Sequence, residues 1–144
     1  MAPLYWLRKN AWSIGLPLGI VLLLISLGRQ HEMRMEQRSS DFQFQTATLQ
    51  LAFKQNQGQA TTRFTDKVLE VIGHLKQVNL TEKKHLILTL SSEDQLDRIL
   101  CQMRKPNRQI IKEIEIGSMV KIKGICQGKK PERDGILLTD CILL

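Results

Sequence analysis

The side chains from Met119 to Cys126 alternate strictly between two sets, and this pattern limits the possible folds more than any other in the sequence. One face would carry Val120, Ile122, Gly124 and Cys126, and the other Met119, Lys121, Lys123 and Ile125. Because successive side chains of a strand point to opposite faces, this pattern predicts a half-buried β-strand. A glycine inside a strand costs stability unless the backbone bends or is closely approached there, so Gly124 indicates a sharply coiled strand, as in a small closed barrel.

Period-two patterns continue through most of the chain after Asp66. They predict four more strands, at Val68–Val78 with a phase slip that indicates a bulge, His85–Ser91, Arg98–Met103 and Ile136–Leu144. Pro106 ends the third strand, and Asn107 can cap a short helix that runs to about Glu113. Five strands with a helix between the third and the fourth is the order of an OB-fold barrel, whose closure protects strand edges.

The period changes to that of a helix before the first of these strands. Apolar side chains recur at intervals of four, seven and four residues, at Leu49, Phe53, Ala60 and Phe64. This stripe predicts an amphipathic helix that packs against the barrel. The fold class predicted from the sequence is therefore mainly β, a five-stranded OB-fold barrel with a preceding amphipathic helix.

An apolar segment near the amino terminus predicts one transmembrane helix. Residues 11–28 contain no charged side chain, and Arg8 and Lys9 give the segment a positive amino-terminal flank. As a helix it would span about 27 Å, close to the thickness of a hydrocarbon core. Ser26 and Gly28 also fit the small positions of a signal-peptide cleavage site, but the apolar run continues to Leu27, which favours an uncleaved anchor.

These patterns divide the chain into four parts: a signal-anchor (1–28), a polar tether (29–45), the amphipathic helix (46–65) and the OB-fold domain (66–144). The tether is inferred because residues 29–45 are rich in Gln, Arg and Ser without a periodic apolar pattern. An anchor at the extreme amino terminus favours an exported body. The predicted location is the membrane, crossed once, with the carboxyl-terminal domain extracytoplasmic.

Several segments of the chain together resemble a known family. They are Leu49 to Phe53 with Asn56, Ala60 and Phe64, then residues 68–73, 117–126 and 138–141. In this order and spacing they resemble the bacterial tRNA-anticodon-binding-like OB-fold proteins over residues 46–144. The resemblance implies an exported or lipid-anchored OB domain, and here a bacterial inner-membrane location. The chain has no cysteine near the end of its apolar segment, so it lacks the acceptor for a lipid anchor.

The composition argues against single-stranded nucleic acid as the ligand. The formal charge is +7, but residues 65–144 hold 14 Lys/Arg against 11 Asp/Glu, so the folded part has a mixed-sign surface. OB-folds that hold single strands stack bases on aromatic rings, and residues 65–144 contain no Phe, Tyr or Trp. Five cations are nevertheless weak candidates for ligand binding: Arg98, Arg104, Arg108, Lys121 and Lys123.

No catalytic, cofactor or metal site is predicted. The sequence has no Ser/His/Asp or paired-carboxylate arrangement at motif spacing. His74 and His85 could face each other across the first hairpin as a metal pair, although solvated histidines are favoured.

The three cysteines allow two disulfides to be compared. A tight last hairpin would pair Cys126 with Ile136, which leaves Cys126 too far from Cys141 for a disulfide, and Cys101 with Cys141 is the better pair. Buried free thiols are favoured over either bridge.

The function predicted from the sequence is thus that of a membrane-anchored extracytoplasmic OB-fold module. Its ligand would be a protein, a peptide, a glycan or a small molecule, and no enzymatic activity is expected. The alternative is a nucleic-acid-binding OB-fold protein, which the fold and the basic balance allow.

Overall fold

The structure is a computed structural model that describes residues 35–92, 98–105 and 108–144. The predicted span at 11–28 and the start of the predicted tether, residues 29–34, lie outside these ranges. No helix within the described ranges has the length and the apolar character needed to cross a membrane.

Within the described ranges, six strands and three helices follow a short 3-10 turn at Met35–Gln37. In chain order they are β1 (Phe42–Gln45), α1 (Thr46–Gln55), α2 (Gln57–Phe64), β2 (Val68–Leu80), β3 (Leu86–Ser91), β4 (Arg98–Met103), α3 (Arg108–Glu113), β5 (Met119–Lys130) and β6 (Gly135–Leu143).

The last five strands form a closed barrel. The sheet order is β1-β2-β3-β4-β6-β5, and β2 also pairs with β5, which closes the ring. Strand β2 closes it because it bends: its first half pairs with β5 and its second half with β3, with a register shift between Leu75 and Gln77. The predicted bulge is therefore present, and the predicted five-stranded barrel, with a helix between its third and fourth strands, is confirmed.

The alternation in β5 buries the face of the strand that was expected to face the core. Ile122, Gly124 and Cys126 are buried, and Ile122 and Cys126 belong to the core that fills the barrel. The predicted register of the last hairpin is wrong, however, because Cys126 pairs with Leu138 and not with Ile136. The reason is that β5 continues past a register shift to Lys130, so the hairpin closes three residues later than expected.

The predicted single helix at 46–65 is two helices that break at Asn56. Asn56 has extended backbone angles, and its side-chain oxygen accepts a hydrogen bond from the Gln59 amide at 3.0 Å, so it caps α2. The predicted stripe is nonetheless buried in the core as a unit, with Leu49 and Phe53 from α1 and Ala60 and Phe64 from α2. Packing of this stripe on the barrel is confirmed.

Residues 35–45 are part of the fold and not a tether, which corrects the predicted boundary. We call them the strap. Met35 is buried and its turn contacts β6, while β1 pairs in parallel with β2 from Phe42 opposite Leu69. The sequence does not predict this, because each apolar residue of the strap has a polar residue on both sides. A strand of four residues gives too short an alternation to be recognised against a polar background.

Candidate ligand-binding groove

A groove of about 320 Å³ lies beside β3 and β4, between the β2–β3 loop and the β5–β6 turn. Its lining is formed by Thr81, Glu82, Lys83, His85, Ile87, Gln102 and Arg133. Ile87 and Gln102 are paired across β3 and β4, so they supply adjacent side chains from the barrel wall. In OB-folds this face and these two loops are where ligands bind. The groove is thus the first candidate for a functional site.

Hydrogen bonds hold the β2–β3 loop that forms one side of the groove. The Thr81 amide donates to the His85 carbonyl at 2.9 Å, and the Thr81 hydroxyl accepts from the His85 amide at 3.1 Å. Lys84 closes the turn with a positive φ of 60° and donates its amide to the Thr81 carbonyl at 2.8 Å. The loop therefore presents Lys83 and His85 from a fixed backbone.

The groove has more positive than negative side chains. Lys83 and Arg133 contribute two cations, and Glu82 is the single carboxylate among the lining residues. Within the described part of the chain, neither cation has an ion pair or a side-chain hydrogen bond. Together with the amide of Gln102 and the hydroxyl of Thr81, they form a surface that can bind a carboxylate-bearing ligand by charge-assisted hydrogen bonds.

None of the described residues that line this groove is aromatic. The four aromatic side chains of the described residues, Phe42, Phe44, Phe53 and Phe64, contact one another at β1, α1 and α2. A base-stacking platform of the kind that OB-folds use for single strands is therefore absent from the lining.

The three arginines predicted as weak binding candidates do not line the groove. Arg98 begins β4 and is paired with Gly135 at the start of β6, and Arg104 follows β4, where its amide donates to the Cys141 carbonyl at 3.0 Å. Arg108 is the first residue of α3, and its side chain is outside what the structure describes. The structure does not bring these three positions together on one element.

The two predicted lysines are close together, but both have partners inside the protein. Lys121 forms an ion pair with Glu70 at 2.9 Å, and Lys123, only 6% exposed, donates from Nζ to the Arg38 carbonyl at 2.8 Å. Glu70 also accepts a hydrogen bond from Gln43 of the strap at 2.8 Å. Lys121 and Lys123 thus help to fasten the strap over β2 and β5.

The two histidines do not form the metal pair that was considered. His74 is paired with Ser91 at one end of the β2–β3 ladder, whereas His85 lies just beyond the Leu80–Leu86 pair at the other end. The described residues contain no group of three or more His, Cys, Asp or Glu side chains that could hold a metal ion.

Sequence reasoning missed Lys83, Gln102 and Arg133. Charged residues in short loops are usually solvated, so nothing in the local pattern distinguished Lys83 or Arg133 from other surface cations. The available signal was topological, because an OB-fold brings the loops after its first and fourth strands to the face of its second and third strands. That rule applied to the predicted strand order would have selected the Thr81–Lys84 and Pro131–Asp134 loops.

Comparison with known proteins gives a family and a structural neighbour. The sequence profile of the tRNA_anti-like family matches residues 1–142. A crystal structure from Klebsiella pneumoniae subsp. pneumoniae MGH 78578, of a protein provisionally described as a nucleic acid-binding lipoprotein, is similar with a TM-score of 0.58 and 16% sequence identity. The similarity covers 71% of this chain and 90% of that one, and it shows a shared fold. No curated protein matches the sequence.

Proposed function

Because this chain belongs to the tRNA_anti-like family, we propose that it acts as a binding module on the extracytoplasmic side of a membrane, holding an acidic segment of another protein in the β3–β4 groove. The observation that carries the proposal is the composition of the groove. Its described lining residues include the cations Lys83 and Arg133 and the amide of Gln102, with one carboxylate and no aromatic ring. The proposal assigns binding to the chain and no catalytic step.

The chemistry of the groove supports an extended peptide as its occupant. Lys83 and Arg133 can pair with carboxylates, and Gln102 can both donate to and accept from a peptide backbone. Ile87 supplies an apolar contact in the same groove. A groove of this volume is at the lower end of the usual range for ligand pockets, so a few residues of a partner would occupy it.

Two observations support the extracytoplasmic location. The uncharged segment at 11–28 has the composition of a membrane anchor, and the Klebsiella pneumoniae protein that shares the fold is described as a lipoprotein. Since the chain has no cysteine near the end of its apolar segment, the anchor in this proposal is a helix and not a lipid.

Nucleic acid is the less favoured ligand for this groove. Stacking of each base on an aromatic side chain is worth about 1–3 kcal/mol, and the described lining residues offer no such ring. Contacts from Lys83 and Arg133 to phosphates would be sequence-independent and sensitive to salt.

Photo-crosslinking in cells tests the proposal. A photo-reactive amino acid placed at Gln102 in the groove is expected to capture a partner protein, and the same amino acid at Thr48, an exposed position on α1, is expected not to. The double variant Lys83→Gln/Arg133→Gln should reduce capture at position 102 about tenfold, because both cations of the groove are lost.

The matched control for charge is Lys54→Gln, which removes an exposed cation of α1 that does not line the groove. Equal capture at positions 102 and 48 would refute the proposal. Capture at position 102 that is unchanged in the double variant would refute the role of the two cations.

A further inference from the structure

A second groove, of about 270 Å³, lies between α1 and α2. It is lined by Ala52, Gln55, Asn56, Gln59, Ala60, Arg63 and Phe64. The break at Asn56 creates it, since a continuous helix would have left no angle between the two segments. The small side chains of Ala52 and Ala60 then leave the space open. None of its lining residues belongs to the β3–β4 groove.

Arg63 is held in position at this groove by two aromatic rings. Its guanidinium carbon lies 5.5 Å from the centre of the Phe42 ring and 5.6 Å from that of Phe64. These distances are within the range of a cation–π interaction. Among the described residues Arg63 has no carboxylate partner and no side-chain hydrogen bond. Its guanidinium is therefore oriented by the rings while its N–H donors are available to a ligand.

Three side-chain amides line the same groove as this cation. Gln55, Asn56 and Gln59 all line the groove. The Asn56 oxygen is used to cap α2, but its amide group still has two donors. Amides that can donate and accept match the alternating N–H and C=O groups of a peptide backbone, while the planar guanidinium matches a carboxylate in a two-pronged arrangement.

The size and the lining of the groove together favour a chain end as the ligand. At about 270 Å³ it lies below the range typical of drug-sized ligands, so it has room for one or two residues. The apolar part of its lining, Ala52, Ala60 and Phe64, suits one small apolar side chain next to the charged group. A carboxylate beside an apolar side chain, both attached to a peptide backbone, is the chemistry of a peptide carboxyl terminus.

We propose that the α1–α2 groove binds the carboxyl-terminal residue of a peptide, with the terminal carboxylate on Arg63, the backbone against the amides of Gln55 and Gln59, and a small apolar side chain against Ala52 and Ala60. This site is independent of the β3–β4 groove, because it uses a different cation and different elements. It gives the module a second contact for a partner protein.

Fluorescence anisotropy with two synthetic peptides tests this site. The probes are fluorescein-labelled Gly-Ser-Gly-Ala-Val with a free carboxyl terminus and the same peptide as its carboxyl-terminal amide. The full chain is used in detergent micelles. The free acid should bind at least about tenfold more tightly than the amide, because the amide cannot form the charge-assisted pair with Arg63.

Two variants and one control separate the site from general attraction to a basic protein. Arg63→Gln should reduce the affinity for the free acid to that for the amide, and Ala52→Leu should weaken binding of both by filling the groove. Lys54→Gln lies on the same helix as Ala52 but outside the lining, so it should change the affinity for neither peptide. Thermal unfolding of each variant shows whether the loss of Arg63 also disturbs the ring cluster, in which case Ala52→Leu decides.

The proposal is overturned by equal affinity for acid and amide, by a preference for the acid that survives Arg63→Gln in a folded variant, or by no saturable binding of the acid below about 1 mM. Since the lysine and the arginine of the β3–β4 groove are intact in all these variants, these outcomes decide the α1–α2 site alone, and the crosslinking experiment decides the β3–β4 groove.

Discussion

At the scale of single residues, Gly124 shows how tightly the barrel is closed. A Cβ atom at this position would lie 2.5 Å from the Cys141 sulfur and 3.1 Å from the Thr139 carbonyl oxygen. One of these contacts is with the backbone of β6, so the neighbouring strand would have to move. The glycine that first indicated a closely approached strand is therefore explained by the sulfur and the carbonyl beside it.

Gly124→Ala should destabilise the protein by about 1–3 kcal/mol, the usual cost of overpacking a filled core. Gly58→Ala is the matched control, since Gly58 is exposed inside α2 and the nearest atom to an added Cβ would be the Asn56 oxygen at 3.7 Å. That change should stabilise α2 by up to about 1 kcal/mol through helix propensity. Chemical denaturation followed by far-UV circular dichroism measures both changes, and a Gly124→Ala protein as stable as the parent would contradict the observed packing.

The three cysteines should be unreactive in the native state. Cys101, Cys126 and Cys141 are free and buried, and burial raises the pKa of Cys126 and of Cys141, the latter also through the adjacent Cys101 thiol. Since the thiolate is the reactive form, iodoacetamide at pH 8 should label the native protein far more slowly than the denatured one. Mass spectrometry before and after denaturation measures this. Rapid labelling of the folded protein, or a peptide joining Cys126 to Cys141, would show that the thiols are not held as described.

At the scale of elements, polar contacts attach the strap to β2 and β5. The Asp41 amide donates to the Val68 carbonyl at 2.8 Å, and the Val68 amide donates to the Asp41 carboxylate at 2.9 Å. Glu70 and Lys123 hold it further along by their bonds to Gln43 and to the Arg38 carbonyl. The strap is thus an integral edge of the sheet, although its composition resembles that of a linker.

The stability contributed by Glu70 should depend on pH. The hydrogen bond from Lys121 lowers the pKa of Glu70, and burial opposes this shift. A carboxyl group whose pKa is lower in the folded state stabilises it above the unfolded-state pKa, about 4.3 for glutamate, and this stabilisation is lost as the pH falls through the folded-state pKa. Glu70→Gln should therefore destabilise the protein at pH 7 and have little effect at pH 2. Denaturation at both pH values tests this, and an equal loss at both would rule out the ionised pair as the cause.

The sequence predicted those elements in which the hydrophobic period extends over enough residues to be recognised. The eight alternating residues at the start of β5 and the helical stripe from Leu49 to Phe64 gave clear periods, so the barrel and the packed helices could be predicted. The break at Asn56 could not be predicted, because a capping asparagine also occurs as an ordinary polar residue within a helix. The register of the last hairpin depends on a shift between Cys126 and Lys129 that the alternation does not reveal.

The candidate sites were predicted less well than the fold. Lys121 and Lys123 were selected because they alternate with apolar residues, but their partners, Glu70 and the Arg38 carbonyl, come from distant parts of the chain. Likewise, Arg63 is oriented by two rings that come from different elements. Contacts between residues far apart in sequence are set by the tertiary fold, and a single sequence does not encode them in a local pattern.

At the scale of the whole molecule, the predicted membrane topology of the chain is open to a direct test. The uncharged segment at 11–28 is followed by the described domain, so residues 29–144 are expected outside the cytoplasm. Alkaline phosphatase fused after Leu144 through a flexible linker should be active, since this enzyme needs an oxidising compartment for its disulfides. Fluorescence from a cytoplasmic reporter at the same position would overturn the predicted orientation.

We propose that the protein binds a partner protein through its two grooves and does not hold nucleic acid by stacking. The ligand of the β3–β4 groove would contact Lys83 and Arg133, the two cations among the described lining residues. Both an acidic peptide and a single-stranded oligonucleotide would be attracted by these charges. The two ligands differ in what they use beyond charge, because OB-folds that bind single strands add the stacking of bases on aromatic rings.

The most direct measurement is a titration of the full chain, in detergent micelles, with a labelled single-stranded oligonucleotide at 50 mM and at 200 mM salt. We expect weak, sequence-independent binding that falls steeply between the two salt concentrations, as for a weakly basic surface. The result that would contradict the account is sub-micromolar oligonucleotide binding that survives 200 mM salt and is lost in Lys83→Gln/Arg133→Gln.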